Sequence, residues 1–285
     1  MKASLILATV GRSDDVGRLI RTLAAQTDRR FELIVVDQNA DDRLAPFIEE
    51  GRASGIDLLH LRLDRPSLSG ARNLGLAHAS GEIVAFPDDD CWYEPDLIEI
   101  VLSAFSREIS LDGVIGCWVE QAAARPAQPK TETLSYEAWR RFRGGDASSI
   151  SLFLKRELLR RLGGFDEHFG VGRWFGAAEE IDLVLRALST GGRLAHCPEA
   201  RVHHHFSVES TEALLPDCRH ARKRARGTGG IYAKHGLGAW VVIRGMIAPV
   251  IVPLIRGQLR AAIKGGYVTL GRAEGLLAWK LRRNL

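Results

Sequence analysis

Three consecutive carboxylates, Asp88-Asp89-Asp90, follow an apolar segment of the chain that ends at Pro87. Neighbouring carboxylates repel one another, so such a run is costly at a strand end unless a cation offsets the repulsion. Hard oxygen ligands favour Mg²⁺ or Mn²⁺, ions that also bridge to substrate phosphates. The alternative is a solvated acidic turn, which the apolar segment before the run makes the weaker interpretation. We therefore predict a divalent-metal site at Asp88 to Asp90.

A second group of ionisable residues lies further along the chain. Glu179 and Glu180 stand where a helix is predicted to begin, and acids in a first helical turn often serve only to complement the helix dipole. Three adjacent histidines, His203-His204-His205, stand near the end of a predicted strand. By themselves they fit a metal site, an exposed polar strand end or a chance cluster. The residue types alone leave these alternatives open.

The elements that must position these residues alternate between strand and helix. Continuous apolar runs predict buried strands, and apolar residues at helical spacing lie between them. The predicted strands cover residues 4–9, 31–37, 56–61 and 82–87, and the predicted helices cover residues 16–23 and 69–79. Such alternation indicates an α/β fold with a mostly parallel, Rossmann-like sheet flanked by helices. Ligands bind at the carboxyl ends of such strands, so Thr9, Asp37 and the acidic run should converge on one crevice.

Two common phosphate-binding motifs are absent from the turn after the first strand. Neither G-x-G-x-x-G nor the P-loop pattern G-x-x-x-x-G-K-[ST] occurs there, so the Rossmann and P-loop phosphate cradles are excluded. A nucleotidyltransferase, which also pairs an α/β sheet with carboxylate-bound Mg²⁺, predicts a glycine-rich basic loop in this turn. The turn has only Gly11, Arg12 and Gly17, which argues against that class. Phosphate groups must therefore be held in another way.

Five segments of the first hundred residues resemble, in order and spacing, the nucleotide-sugar half of a family 2 glycosyltransferase of the GT-A fold. The segments are Ser4 to Arg12, Phe31 to Asp37, Leu68-Ser69-Gly70-Ala71-Arg72-Asn73-Leu74-Gly75-Leu76-Ala77, Gly81 to Asp90 and Trp92-Tyr93-Glu94-Pro95-Asp96. The match is specific because the five segments agree together.

The resemblance implies a role for each matched residue. Asp88 and Asp90 would form the D-x-D pair, with Asp88 near the ribose and Asp90 on a divalent metal that bridges the diphosphate. Thr9 and Asp37 would line the nucleobase pocket. The residues implied to bind the nucleotide sugar are Thr9, Arg12, Asp37, Arg72, Asp88 and Asp89.

The second half of the chain resembles the acceptor side of the same family. The matching segments are Gly163-Gly164-Phe165-Asp166-Glu167, Ala178-Glu179-Glu180-Ile181-Asp182-Leu183 and Pro198 to His204. Glu180 takes the place of the family's usual Asp, the base that removes the acceptor's proton in an inverting transfer, with Glu179 beside it. His204 matches the family's metal-side histidine, with His203 and His205 as alternatives. The implied metal ligands are Asp88, Asp90 and His204, and the acceptor-binding candidates are Trp174 and Asp182.

Two departures from the family pattern lie in the predicted nucleobase pocket. The first strand ends in Ala8-Thr9-Val10-Gly11-Arg12, where the family often has a Pro-Thr pair and an Asn. After Asp37 comes Gln38-Asn39 in place of the frequent Asp-Gly or Asn-Gly. These departures leave the chemistry intact and leave the identity of the nucleotide open.

The carboxyl-terminal region differs from the rest of the chain in charge. From Asp217 onward there are 14 Lys/Arg and 2 Asp/Glu, a net charge of +12, against −8 (25 minus 33) for residues 1–216. Residues 239–255 are apolar but contain Arg244 and two prolines, so they fall short of the roughly 20 apolar residues that span a bilayer. The region fits a surface-lying segment on anionic lipid, or a helical hairpin packed on the catalytic domain or on a second subunit. Nucleic-acid binding ranks low, because no aromatic sheet motif or zinc pattern accompanies the charge.

Composition and the start of the chain bear on location and domain organisation. With 46% hydrophobic and 26% charged residues, the chain has the composition of an ordinary folded protein. Its four cysteines form no C-x-x-C pair, and residues 1–6 resemble a strand instead of a signal peptide. We therefore expect reduced thiols in a cytoplasmic protein. Because of the basic carboxyl-terminal region, we expect this protein to be peripheral on the inner face of the cell membrane. We divide the chain into a catalytic domain at 1–216, with a nucleotide-sugar half at 1–100 and an acceptor half at 101–216, and a basic, amphipathic helical region at 217–285.

The resemblance implies a metal-dependent inverting glycosyltransferase with Mg²⁺ or Mn²⁺ as cofactor. It would move a sugar from a nucleotide-diphosphate donor to a hydroxyl group of a lipid-linked saccharide during cell-surface polysaccharide synthesis. The sequence is compatible with a homodimer but does not decide the oligomeric state. The non-enzyme alternative is a sugar-nucleotide-binding or scaffold protein that has lost turnover. Replacement of the acidic or histidine residues would favour this alternative, but the sequence keeps them.

Overall fold

A single sheet organises the protein, whose computed structural model describes residues 1–120, 133–142, 147–204 and 213–282. The strands are β1 (Ala3–Thr9), β2 (Phe31–Asp37), β3 (Asp57–Arg62), β4 (Ile83–Ala85), β5 (Cys91–Tyr93), β6 (Gly113–Trp118), β7 (Leu152–Lys155) and β8 (Leu194–His204). In the sheet their order is β3-β2-β1-β4-β7-β6-β8-β5.

Helices cover both faces of the sheet. They are α1 (Asp14–Ala24), α2 (Ala45–Ala53), α3 (Leu68–His78), α4 (Leu97–Arg107), α5 (Tyr136–Arg140), α6 (Arg156–Leu162), α7 (Glu179–Ser189), α8 (Leu214–Lys234), α9 (Ala239–Ile255) and α10 (Leu259–Arg282). A short 3-10 helix, Ser149–Ser151, precedes β7.

The amino-terminal half of the sheet is parallel. β1 pairs with β2 and β4, and β2 pairs with β3, all in parallel. Every residue of β1 is buried, because a strand covered on both faces has no solvent side. The register pairs Thr9 with Asp37, so the carboxyl ends of β1 and β2 lie side by side. The predicted α/β fold with a mainly parallel sheet flanked by helices is confirmed.

The other half of the sheet is mixed. β7 is antiparallel to β4 and β6, β6 is parallel to β8, and β5 is antiparallel to β8. The last pairing sets Cys91 opposite His204, so β5 brings the end of the acidic run next to the histidines. The strand predicted over residues 82–87 is shorter in the structure, since β4 ends at Ala85 before Pro87, which has no N–H to donate.

Apolar side chains form a core on each face of the sheet. One core holds Leu23 of α1 and Phe105 of α4 against the strands. The other joins α3, α6 and α7 with the last turns of α8, and it includes Leu183, Ile231 and Tyr232. Helix α8 of the carboxyl-terminal region therefore shares a core with the sheet.

The three helices α8, α9 and α10, here called the tail, pack on one another and on the loop before α7. Glycines permit the closest approaches: a Cβ added at Gly271 would lie 2.2 Å from the carbonyl oxygen of Arg222, and one added at Gly227 would lie 2.1 Å from that of Ala177. The predicted helical carboxyl-terminal region is thus confirmed. The domain boundary predicted between residues 216 and 217 falls inside α8, and that division stays a prediction.

Within the ranges that the structure describes, none of the helices combines the length and the apolar character needed to cross a membrane.

Candidate active site

The acidic run and the end of β8 meet beside β4. Asp88, Asp90 and His204 each offer one ligand atom, and these atoms all lie within 4.8 Å of one another. Nε2 of His204 is 2.9 Å from Oδ1 of Asp90, because the pairing of β5 with β8 places His204 beside the run. Two carboxylates and one imidazole form a donor set that fits Mn²⁺ or Mg²⁺ and leaves coordination positions for phosphate oxygens. The structure thus brings together the three residues predicted to hold a metal.

The neighbouring histidine, His203, belongs to a different cluster. Its ring nitrogens lie 2.8 Å from Glu120 and 3.0 Å from Glu94, and its ring stacks on Trp92. Successive side chains of a strand point to opposite faces, which explains why His203 does not join His204 at the acidic run. His205, the other alternative, lies outside the described residues.

Arg12 and Thr9 close the acidic run from the side of β1. Nη1 of Arg12 is 3.0 Å from Oδ1 of Asp89 and also contacts Asp90. The Thr9 hydroxyl donates a hydrogen bond of 2.7 Å to Oδ2 of Asp89. Both residues were predicted to bind the nucleotide sugar, and the structure places both at the acidic run. The guanidinium supplies part of the positive charge that three adjacent carboxylates require.

The three carboxylates differ in proton affinity because their surroundings differ. Burial raises the pKa of Asp88, and burial also raises the pKa of Asp89 to about 6. For Asp90, burial would raise the pKa too, but hydrogen bonds from His204 and Arg12 outweigh it and lower the pKa below the usual range. Asp90 is therefore the member of the run that stays ionised most readily and is best prepared to bind a cation.

Arg72 of α3 connects the acidic run to the start of α7. Its Nη2 lies 2.8 Å from Asp88 and 2.9 Å from the hydroxyl of Ser149, and its Nη1 lies 3.2 Å from Glu179. A buried cation needs such partners, since an unpaired charge away from water is costly. Arg72 was predicted to lie near the nucleotide. With 1% of its surface exposed, it acts on the site through the carboxylates it holds.

The two glutamates at the start of α7 face different surroundings. Ala178 precedes them with a φ of 77°, a left-handed conformation that is uncommon for alanine, and α7 begins directly after it. Glu179 is buried against Arg72. Glu180 instead lines a cavity between α7 and the tail. Among the described residues Glu180 has no ion-pair partner, so it is the freer of the two predicted catalytic carboxylates.

The environment of Glu180 favours its protonated form. Burial and the negative charge of Glu179 raise the pKa of Glu180 well above its usual range, while the positive charges of Arg72 and Arg224 oppose the rise. A general base works best when its pKa lies near the operating pH. Glu180 therefore has the proton affinity that suits a base for a hydroxyl group.

Asp182, predicted to bind the acceptor, is engaged by the tail. It is fully buried, and its carboxylate lies 2.8 Å from Arg186, 2.6 Å from Lys234 and 2.9 Å from His235. Burial would raise the pKa of Asp182, but these partners outweigh it and lower the pKa. The contacts join α7 to the end of α8, and an acceptor could reach Asp182 only by displacing one of them.

Trp174, the other acceptor candidate, lies beside the tail. The guanidinium of Arg226 is 4.6 Å from its ring centre, and the ring of Phe175 meets it edge-on. Even with these contacts, 48% of Trp174 is exposed. An exposed aromatic face can stack on a sugar, so the role of Trp174 in acceptor binding stays a prediction.

The predicted nucleobase pocket centres on Asp37, which is fully buried at the end of β2. Oδ1 of Asp37 accepts hydrogen bonds from the backbone N–H and the side-chain amide of Asn39, at 2.9 and 2.8 Å. Its other oxygen lies 3.0 Å from His60 and 3.1 Å from Arg62. Asp37 is thus held rigidly beside Thr9 by two residues of β3 and by Asn39 in the turn after β2.

Several of these partners were missed by the sequence analysis. His60 and Arg62 are two residues apart on β3, so strand alternation and the pairing with β2 could have placed both on the side of Asp37. Ser149 and Lys234 carry no motif or periodic signal. Only the folded chain brings these two residues to the site.

We expect Lys234→Gln to destabilise the protein, because it deprives the buried carboxylate of Asp182 and the partly buried carboxylate of Asp166 of a shared cation. Breaking a buried ion pair typically costs about 3–5 kcal/mol, and the remaining partners of Asp182 should reduce the loss to about 2 kcal/mol. Urea unfolding at neutral pH measures this change in the unfolding free energy. Lys223→Gln makes the same charge change at an exposed position of α8, and it should alter the unfolding free energy by less than about 0.5 kcal/mol.

The effect of Lys234→Gln should also depend on pH. The folded pKa of Asp182 is depressed, so its contribution to stability is present above the unfolded value of about 3.9 and is lost as pH falls through the folded value. The difference between the wild-type protein and Lys234→Gln should therefore shrink in acid. A difference that persists unchanged at the lowest pH where the protein folds would contradict the ion-pair explanation.

Known proteins have sequences similar to this chain. A sequence profile described as "Glycosyl transferase family 2" matches residues 4–177. The "Glucosyl-dolichyl phosphate glucuronosyltransferase" of Haloferax volcanii is 27% identical over 227 residues, which cover 74% of this chain and 72% of that protein. The "O-antigen biosynthesis protein RfbC" of Myxococcus xanthus is 27% identical over 241 residues, which cover 76% of this chain but 18% of that protein.

Solved structures share the fold. The mannosyltransferase PcManGT from Pyrobaculum calidifontis, in complex with GDP-Man and Mn²⁺, has a TM-score of 0.63 at 19% identity, over 98% of this chain and 75% of that one. TarS of S. aureus has a TM-score of 0.60 at 17% identity, over 93% of this chain and 55% of that one. At such identities these structures bear on the fold alone. Because the family profile covers more than half of the residues, the chain belongs to glycosyl transferase family 2 and has the GT-A fold.

Proposed function

We propose that the protein transfers a sugar from a nucleotide-diphosphate donor to a hydroxyl group of a saccharide acceptor, with inversion at the anomeric carbon. The observation that carries the proposal is the meeting of Asp88, Asp90 and His204 at the end of β4. Relatives named for O-antigen biosynthesis and for a transfer to glucosyl-dolichyl phosphate support a role in cell-surface polysaccharide synthesis on a lipid-linked acceptor.

The nucleoside of the donor is assigned to the crevice between the ends of β1 and β2. Thr9 and Asp37 are neighbours there, and the partly exposed Arg62 closes the side beyond Asp37. Arg12 keeps 43% of its side chain exposed, so it can turn from Asp89 towards the phosphates of a bound donor. These residues would orient the nucleotide so that its diphosphate reaches the acidic run.

The diphosphate of the donor is assigned to the acidic run. Asp88, Asp90 and His204 would hold a Mg²⁺ or Mn²⁺ ion, which when bound offsets the negative charge that develops on the leaving diphosphate. Arg72 fixes Asp88 from the buried side of the site. A preorganised carboxylate needs little rearrangement when the donor arrives.

Glu180 is assigned the role of base. As the acceptor oxygen attacks the anomeric carbon, its proton passes to the carboxylate of Glu180, and the bond between that carbon and the diphosphate oxygen breaks. Attack opposite the leaving group inverts the configuration. Glu179 remains paired with Arg72 and so holds the first turn of α7 against the donor side.

Asp90→Asn and Glu180→Gln should separate donor binding from transfer. Asp90→Asn removes a charged metal ligand, so it should abolish metal-dependent stabilisation by the nucleotide. Glu180→Gln should keep that stabilisation and lower the transfer rate by about 10²–10⁴-fold. Thermal unfolding with UDP, GDP, dTDP and CDP, each with Mn²⁺ and with EDTA, provides the binding measurement, because a ligand that binds only the native state raises its stability. Equal loss of nucleotide binding in both variants would contradict the two roles.

The pH dependence of transfer provides a second test of the base. A base must be deprotonated to act, so the rate should fall as pH drops below the pKa of Glu180, which lies well above the ordinary value of about 4.3. Arg224→Gln removes a positive charge that opposes the rise in the pKa of Glu180. It should therefore move the acidic limb of the pH–rate profile to still higher pH. Lys223→Gln should leave the limb in place. An acidic limb near pH 4, or one that both variants move equally, would exclude Glu180 as the base.

We assign the apolar face of α9 to the surface of an anionic membrane. Exposed apolar side chains recur along it at helical spacing: Trp240, Ile243, Ile247, Ile251, Leu254 and Ile255. The opposite face of α9 packs on the other tail helices, where Gly245 lies against Tyr232 of α8. The net charge of +12 from residue 217 onward favours anionic lipid, at roughly 1 kcal/mol per basic residue near the surface. The proposed location is therefore peripheral, on the inner face of the cell membrane.

Replacing Ile247 and Ile251 together with serine should weaken sedimentation with phosphatidylglycerol vesicles by about tenfold or more, since burying each isoleucine contributes about 1.5–3 kcal/mol. Ile109→Ser removes an isoleucine that is 79% exposed in another part of the protein, and it should not change vesicle binding. If the wild-type protein ignores vesicles and forms a dimer that the double variant dissociates, the face is an interface between two copies instead.

A further inference from the structure

The backbone of His204 is held by side chains from the end of β6. The register between β6 and β8 ends with the pair of Trp118 and Val202, two residues before His204. Backbone groups beyond such a ladder must bond to side chains or to water. At His204 the N–H donates a hydrogen bond of 3.1 Å to Oε2 of Glu120, and the carbonyl oxygen accepts one of 3.0 Å from Nε1–H of Trp118. Both polar groups of this peptide unit are therefore fixed by side chains.

Trp118 also contacts the imidazole ring of His204. The two ring centres lie 5.1 Å apart and the ring planes meet at 78°, an edge-to-face arrangement that aromatic rings favour. On the imidazole, Nε2 lies 2.9 Å from Oδ1 of Asp90. Trp118 thus restrains both the backbone and the ring of His204, so the direction of this nitrogen depends on Trp118.

Glu120 is itself held in place by a second histidine. Its Oε1 lies 2.8 Å from Nδ1 of His203, and Nε2 of His203 lies 3.0 Å from Oε1 of Glu94. Glu94 comes directly after β5, whereas Glu120 follows β6 and His203 belongs to β8. The cluster therefore joins the ends of three strands, and it keeps the carboxylate of Glu120 at the N–H of His204.

We propose that Trp118 and Glu120 are positioning residues for metal binding, which orient His204 so that its imidazole binds the divalent ion together with Asp88 and Asp90. This inference rests on the proposed function, since it concerns the metal of the same site. Both residues act through His204, because their hydrogen bonds end on its backbone. Partners that orient a metal ligand typically contribute about 10–100-fold to metal affinity.

The affinity of the full chain for Mn²⁺ tests the two residues. Trp118→Phe keeps an aromatic ring but removes the indole N–H, so it should weaken Mn²⁺ binding about tenfold or more. Glu120→Ala removes both acceptor oxygens and should do the same. Glu120→Gln retains one oxygen for the N–H of His204, so it should restore part of the affinity. The electron paramagnetic resonance signal of free Mn²⁺ measures binding, with the metal alone and with each of UDP, GDP, dTDP and CDP.

Two control variants make similar replacements where no effect on the metal is expected. Trp279→Phe removes an indole N–H that donates no hydrogen bond within the described part of the chain. Glu199→Gln removes a carboxylate from an exposed position of β8. Both controls should leave the affinity for Mn²⁺ unchanged. Equal weakening by either control and by its matched variant would contradict the proposal, since the effect would then be general.

The spin echo of bound Mn²⁺ provides a readout that a merely structural role would not change. A nitrogen coordinated to Mn²⁺ modulates this echo, so the wild-type protein should show nitrogen modulation and His204→Gln should lack it. Trp118→Phe at saturating Mn²⁺ should show a weaker modulation. Glu120→Gln should lie between Glu120→Ala and the wild-type protein.

Lower thermal stability of Trp118→Phe and Glu120→Gln, with unchanged Mn²⁺ affinity and nitrogen modulation, would overturn the proposal. The cluster would then only hold the strand ends together. These two conservative variants decide the outcome if Glu120→Ala does not fold. Failure of the wild-type protein to bind Mn²⁺, alone or with any of the four nucleotides, would instead count against the metal site and so against the proposed transfer reaction.

Discussion

The concentration of negative charge at the end of β4 is the constraint on which the rest of the site depends. Three adjacent carboxylates are stabilised there by two arginines and by a hydrogen bond from a histidine. Arg12 comes from the turn after β1, Arg72 from α3 and His204 from β8. Since these partners lie far apart in sequence, the order of the strands and the placement of α3 are what create the site. The same excess of negative charge favours a divalent ion, whose two positive charges would compensate the carboxylates more completely than the single charge of Arg12 does.

The sequence was most informative where function follows directly from a buried strand. The positions of Thr9, Asp37 and the acidic run could be predicted, because each follows a continuous apolar run whose end lies at the ligand-binding edge of a parallel sheet. His204 required the family resemblance as well, since its approach to Asp90 depends on the antiparallel pairing of β5 with β8. That pairing leaves no periodic signal in the chain. Contacts between distant side chains, such as Arg72 with Ser149, were beyond prediction for the same reason.

The tail shows how a charge pattern can identify a region without defining its structure. Its basic composition suggested either a surface-lying segment on lipid or a packed hairpin; the structure shows helix packing, and the lipid-bound segment stays a prediction. α8 enters the core through Ile231 and Tyr232 and clamps Asp182 through Lys234. α9 keeps an apolar face exposed. The burial of α8 could not be read from composition, because a helix rich in Arg and Gly shows little apolar periodicity.

The wall that α8 and α10 contribute beside Glu180 has an evolutionary consequence. Most of the residues proposed to bind the donor lie within the first hundred residues, with His204 as an exception, whereas this wall is formed by residues near the carboxyl terminus. If the wall contacts the acceptor, substitutions in α8 and α10 would change acceptor preference without altering the residues proposed to bind the donor. The freedom has a limit. Any exchanged tail must keep the contact of Gly227 with Ala177 and the clamp on Asp182, because these joints fix the helix that carries the proposed base.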